Sequence, residues 1–187
     1  MKRSVKERNI LDKFCNKFCN IIEKYTTYII VSGFVAISSG RARGTEDIDM
    51  IIPKIDKELF LKIHKDLIKN EFVCTQTDNP ESIYDDYLKD NSSVRYVLKD
   101  KPLPEMEIKF AKDELDTYQL KTRIKLPLTG LDIWFSSINM NISFKEELLK
   151  SDKDLEDARY LRIVYPELIN EKEINKIKYM IKKLRLS

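Results

Sequence analysis

The sequence predicts an α+β fold, a mixed β-sheet flanked by helices with a C-terminal helical extension, and three features predict it. Short apolar or alternating runs at 28–31, 47–52, 72–77, 93–99 and 105–110 have strand character. Before and between them, 4–25 and 56–70 repeat apolar residues every three or four positions, the period of a helix with one buried face. Helical patterns then occupy most of the chain from 142 to its end. With 187 residues and 42% hydrophobic content, the chain can bury one substantial core. Residues 1–140 read as that core with its N-terminal helix, and 141–187 as a helical segment packed on it.

Each element has its own signature. Leu11, Phe14, Cys15, Phe18 and Ile22 make the stripe of the first helix. Tyr28–Val31 is a short buried strand, Ser32-Gly33 a permissive turn, and Phe34 to Ile37 the start of a helix. Gly40 and Gly44 bracket a basic loop before the strand Asp47–Ile52, which Pro53 ends. Leu59, Phe60, Ile63, Leu67 and Ile68 mark the next helix, on which His64 is expected at an exposed or half-exposed position without a role. The polar stretch Asp78 to Asn91 reads as a plain surface excursion, with a mobile loop near the site as the alternative. Arg123 to Leu128 and Leu131 to Phe135 read as a hairpin turned at Thr129-Gly130. In Glu171 to Lys183, Ile174, Ile177, Met180 and Ile181 form one stripe, with lysines opposite that are either a solvated face or an RNA contact.

Composition narrows the function classes. Lys+Arg at 34 against Asp+Glu at 31 gives a formal net charge of +3, too small and too evenly mixed to imply wrapping of a nucleic acid. No apolar run approaches 18 residues and no signal peptide is visible, so no membrane is expected and the location is read as cytoplasmic. Three cysteines, two of them four apart in a helical pattern, suit reduced thiols, and a single His makes zinc a poor fit.

The chemistry concentrates in SGFVAISSGRARGTEDIDMII, residues 32–52. In a strand, residues two apart share a face, so Asp47 and Asp49 project together, their Cα atoms about 6.5–7 Å apart, while Ile48, Met50 and Ile52 point into the core. Two such carboxylates call for a cation, and oxygen-only ligands favour Mg²⁺ or Mn²⁺. Upstream, Ser32 and Gly33 allow phosphate to approach the backbone and a hydroxyl, and Arg41 and Arg43 can neutralise a triphosphate.

A small-Gly turn into a helix, then Arg and Thr, then Asp-hydrophobic-Asp on a strand resembles the signature of the nucleotidyltransferase superfamily, the polymerase-beta-like fold. More narrowly, Gly33, Ala36, Gly40, Arg43, Thr45, Asp47 and Asp49 resemble the branch of abortive-infection toxins and minimal nucleotidyltransferases. Two departures stand out: Ser32 where Gly is more frequent, and Glu for Asp as the third acid. The resemblance implies a nucleotidyltransferase-type mixed sheet, Thr45 among the nucleotide-binding residues, and a third carboxylate on a later strand. That carboxylate is Glu107 in MEIKF, by its order along the chain, or Asp132 in LDIWF. It further implies that Lys145 approaches the nucleotide phosphates and that Asp154 helps to form the cleft.

The implied reaction is two-metal transfer of a nucleoside monophosphate from a nucleoside triphosphate to a hydroxyl. Asp47, Asp49 and Glu107 would serve as metal ligands and pyrophosphate would leave. The acceptor stays open among RNA such as a tRNA, a protein and a small molecule, and an antitoxin-like partner belongs to the toxin version. Two rivals remain: a non-catalytic nucleotide- or RNA-binding module, and a structural interaction protein built on the terminal helices.

Overall fold

A computed structural model describes residues 9–187; the expected helix start at residues 4–8 lies outside them. Helix α1, Ile10–Ile22, begins where the Asn9 side chain accepts from Asp12 N–H at 2.8 Å, satisfying an orphan donor of the first turn. Its stripe of Phe14, Cys15, Phe18, Cys19 and Ile22 is buried, and both cysteines are free thiols.

The five strands are β1 (Ile29–Val31), β2 (Asp47–Ile52), β3 (Phe72–Cys74), β4 (Val94–Leu98) and β5 (Lys101–Phe110). They form one mixed sheet in the order β1-β2-β5-β4-β3, in which β2 and β5 run parallel and the other neighbours antiparallel. The alternation read in β2 holds: Ile48, Met50 and Ile52 are fully buried in the main core. Helix α2 (Gly33–Ser38) links β1 to the loop before β2, and α3 (Lys57–Lys69) is capped by Asp56, which accepts from Leu59 N–H at 2.8 Å.

Several elements depart from the sequence expectation. The stretch 78–91 is an excursion made of short helical turns, and part of it is buried. Asn79 caps α4 (Pro80–Ser82), a π-helical turn follows at Ile83–Tyr87 and a 3₁₀ turn at Leu88–Asp90, and Ile83 and Leu88 are driven fully into the core. The hairpin at 123–135 reduces to one antiparallel bridge, Ile124 with Phe135, while Pro127–Thr129 forms a 3₁₀ turn ended by Gly130 at φ 67°. Pro127 has no N–H to give a ladder, and Phe135 also pairs with Ile30 outside the edge of β1. Helix α5 (Glu114–Lys121) had no sequence signal: two of its four buried residues, Asp116 and Gln119, are polar.

The C-terminal helices begin at residue 138, ahead of the expected 142. They are α6 (Ile138–Phe144), continued by a π-helical turn at Lys145–Leu149, then α7 (Asp152–Val164) and α8 (Glu171–Arg185). Ile177 and Ile181 of α8 pack with Leu115 and Met140, which places α5, α6 and α8 together. Among the described residues no helix is long and apolar enough to cross a membrane.

His64 is the plainest correction: it is 6% exposed, and its Nδ1 lies 2.8 Å from the Tyr96 hydroxyl. The Phe60 ring, four residues earlier, and Tyr96 from β4 enclose it, so the apolar stripe of α3 takes it inward. Burial lowers its pKa below 6.5, opposed only by Asp78. A depressed pKa stabilises the fold above the unfolded value and loses that contribution as pH falls through the folded one. Stability is therefore expected to drop below about pH 6.5, and His64→Gln should flatten that part of the profile in urea titrations at stepped pH.

Candidate functional site

One face of the sheet carries the acids. The parallel register of β2 and β5 sets Asp47 beside Glu105 and Asp49 beside Glu107, and the antiparallel register of β5 and β4 sets Glu107 beside Arg95. Asp49, Glu107 and Arg95 thus form a row across three strands. The alternative acid, Asp132, lies outside strand structure and is exposed in an ion pair with Lys125. Its segment reaches the sheet beyond β1, on the opposite side of β2 from β5.

The acids crowd one another. Burial raises the Asp49 pKa above its ordinary 3.8, the charges of Asp47 and Glu107 raise it further, and a hydrogen bond with Ser32 and the charge of Lys109 oppose the rise. Thr45 Oγ1 donates to Asp47 Oδ1 at 2.8 Å, so Thr45 orients an acid. Glu107 is turned to Arg95, whose Nη2 is 2.7 Å away. Among the described residues no trio of His, Cys, Asp or Glu side chains is already gathered into a metal cage.

Ser32 joins β1 to α2 with φ 65° and ψ −141°, a backbone region that strongly favours glycine. The conformation explains why a small residue, more often Gly, suits this position, and a side chain held there carries strain of about 1–3 kcal/mol. Gly33 follows, and a Cβ there would stand 3.0 Å from Arg43 Nη2. The guanidinium of Arg43 therefore lies directly over the Gly33 backbone.

The remaining expected residues gather around one buried carboxylate, Asp157 on α7, which is 0% exposed. Arg41 donates to Asp157 Oδ1, Arg43 Nη1 to its Oδ2 at 2.5 Å, and Lys145 Nζ to its Oδ2 at 2.8 Å. Lys145 Nζ also lies 3.3 Å from Asp154 Oδ1, and Arg41 reaches Glu156 and the Lys153 carbonyl. Lys145 is 1% exposed; burial lowers its pKa from 10.5, Asp154 raises it, and the charges of Arg43 and Arg41 lower it again. Of the side-chain atoms in this group, Arg43 Nε is buried with no hydrogen-bond partner. In the sequence Asp157 is one more residue of the charged helical run 153–157, and Arg95 and Glu105 are ordinary outward strand residues.

The two groups adjoin. A cavity of about 140 Å³ is lined by Ser32 and Ile51 on the sheet side and by Asn141, Phe144 and Lys145 on the helical side. Of the expected site residues, Ser32 and Lys145 line this cavity together; Gly33, Thr45, Asp47, Asp49 and Glu107 lie on the sheet side, Arg41, Arg43 and Asp154 lie around Asp157, and Arg43 over Gly33 links the two groups.

No protein-family model matches the chain, and no curated protein matches it in sequence. Solved structures do. An antigenic nucleotidyltransferase-like protein from Paracoccidioides brasiliensis superposes with a TM-score of 0.55 at 17% identity, over 94% of this chain and 88% of that one. ANT(2'')-Ia in complex with adenylyl-2''-tobramycin gives 0.56 at 14% identity, over 96% of this chain and 100% of that one. The solution structure of the same antibiotic-resistance factor gives 0.54 at 13% identity, over 92% and 91%. The mixed sheet, its flanking helices and the helical C-terminal segment therefore constitute a nucleotidyltransferase-type fold.

Proposed function

We propose that the chain is a metal-dependent nucleotidyltransferase that moves a nucleoside monophosphate from a nucleoside triphosphate to an acceptor hydroxyl, releasing pyrophosphate. The observation that carries this reading is the register that sets Glu107 beside Asp49, with Asp47 on the same face. Like-charge crowding at Asp49 is what a divalent cation would relieve, and an all-oxygen donor set suits Mg²⁺ or Mn²⁺. Asp47, Asp49 and Glu107 are the residues that would hold it. A cation so bound neutralises triphosphate charge and makes an attacking hydroxyl more acidic.

The protein's own groups supply the rest. Arg43, lying over Gly33 with its Nε unpartnered, would donate to a phosphate oxygen beside Ser32. Asp157 fixes Arg41, Arg43 and Lys145 before any substrate arrives, so little reorganisation is needed as charge develops on the departing pyrophosphate. The acceptor is an RNA, a protein or a small-molecule hydroxyl, and the adenylyl-tobramycin bound by ANT(2'')-Ia illustrates the last class.

Thermal unfolding with ATP, GTP, CTP and UTP, with and without Mg²⁺ or Mn²⁺, tests the reading. A triphosphate at about 100 times its dissociation constant should add about 2.7 kcal/mol, several degrees in midpoint, only with metal and not in Asp47→Ala/Asp49→Ala. Absence of any metal-dependent shift at millimolar triphosphate would remove the proposal.

A further inference from the structure

A second and larger cavity lies away from the acids. It is a groove of about 780 Å³ where β2 and β5 end, lined by Lys54, Lys112, Lys121, Arg123 and Trp134. Helix α5 is the wall between the two regions: Asp116 and Gln119 face the small cavity beside Ser32 and Lys145, while Thr117, Leu120 and Lys121 face the groove.

Its charge is one-sided in a chain whose total is only +3. Among the described residues the only acid on its wall is Asp113, which caps α5 and is paired with Arg185 at 2.7 Å. Arg123 and Lys125 are both held over the Trp134 ring, 4.7 and 4.9 Å from its centroid, and Trp134 Nε1 donates to Glu23 at 3.0 Å. The guanidinium and the indole are thus fixed as a ridge, which also borders a neighbouring hollow of about 320 Å³. Cations beside an ordered ridge of guanidinium and indole match a single-stranded nucleic acid better than a carboxylate-bearing peptide. Phosphates meet the lysines and a base stacks on the Arg123 guanidinium plane, which the indole holds in place.

We propose that this groove is a binding site for single-stranded RNA, separate from the acidic face and independent of metal and nucleotide. The test is fluorescence anisotropy with a labelled 12-nucleotide single-stranded RNA of mixed sequence, in EDTA and without triphosphate, between 50 and 200 mM salt. Four phosphate contacts give a slope of log K against log salt of about −2.8, about 50-fold weaker binding across that range. Lys54→Gln/Lys112→Gln/Lys121→Gln/Arg123→Gln should bind at least tenfold more weakly at 50 mM and lose most of the slope. Because Arg123 packs on Trp134, the triple lysine variant is measured beside it and should flatten the slope by about 2. Asp47→Ala/Asp49→Ala should bind as the wild type does, which separates this groove from the proposed transfer site. Unchanged affinity and slope in both groove variants, no RNA binding by the wild type, or competition by polyglutamate as strong as by RNA would each overturn the proposal.

Discussion

Replacing Asp157 with Ala is expected to cost about 3–5 kcal/mol of stability, on the order of 10 °C in midpoint for a chain of this size. Asp157 has no exposed surface and accepts from Arg41, Arg43 and Lys145. Its removal leaves Lys145, itself 1% exposed, with only the longer contact to Asp154, and leaves Arg43 with no carboxylate partner. Uncompensated buried charge is the costly outcome, far more so than loss of an exposed pair such as Lys62 with Glu58. Asp157→Asn keeps the shape and part of the hydrogen bonding, and should fall between wild type and Ala. Urea unfolding gives the comparison; a loss under about 1 kcal/mol for Asp157→Ala would mean that the three cations find water or other acids readily.

The second large effect is the reverse in sign for stability. Asp49→Asn should lower nucleotidyl transfer on the order of 10³-fold, the several kcal/mol expected when a metal ligand of a phosphoryl-transfer site is lost. Yet the same variant should be more stable than wild type in EDTA. The Asp49 carboxyl is raised above 3.8 by burial, Asp47 and Glu107. A group raised in the folded state contributes stability at low pH, and that contribution is lost as pH rises through the folded value. Metal-free wild type should therefore lose stability as pH climbs from about 4, and Asp49→Asn should show a flatter profile. Reduced stability of Asp49→Asn at pH 7 in EDTA would show that Ser32 and Lys109 outweigh the crowding.

The acids on the sheet were legible in the sequence because a strand's two-residue period places Asp47 and Asp49 on one face whatever the rest of the chain does. Glu107 was legible only as one of two candidates. Choosing it over Asp132 on geometry needs the parallel register of β2 and β5, which is a long-range pairing that no local pattern encodes. Arg95 was hidden for the same reason: in SSVRYVL it is one more outward strand residue until β4 pairs with β5 and sets it beside Glu107. Asp157 was disguised by its neighbours. In a run of alternating charges it looks solvated, and only the return of Arg41 and Arg43 from the loop before β2 buries it. Helix α5 and His64 fail by a related route, since apolar periodicity cannot anticipate polar side chains that are buried because a partner awaits them. At Ser32 the sequence showed an odd residue, and the backbone angles show why a small one belongs there.

Transfer itself is the most direct measurement. The protein is incubated with α-³²P- or γ-³²P-labelled triphosphates, Mg²⁺ or Mn²⁺, and separate pools of total RNA, total protein and hydroxyl-rich small molecules including aminoglycosides. Label should enter one pool from the α-position and not from the γ-position, release pyrophosphate in equal amount, and vanish with EDTA or Asp49→Asn. Label arriving from the γ-position, or transfer that persists in Asp49→Asn and in EDTA, would contradict nucleotidyl transfer at the Asp47, Asp49 and Glu107 face.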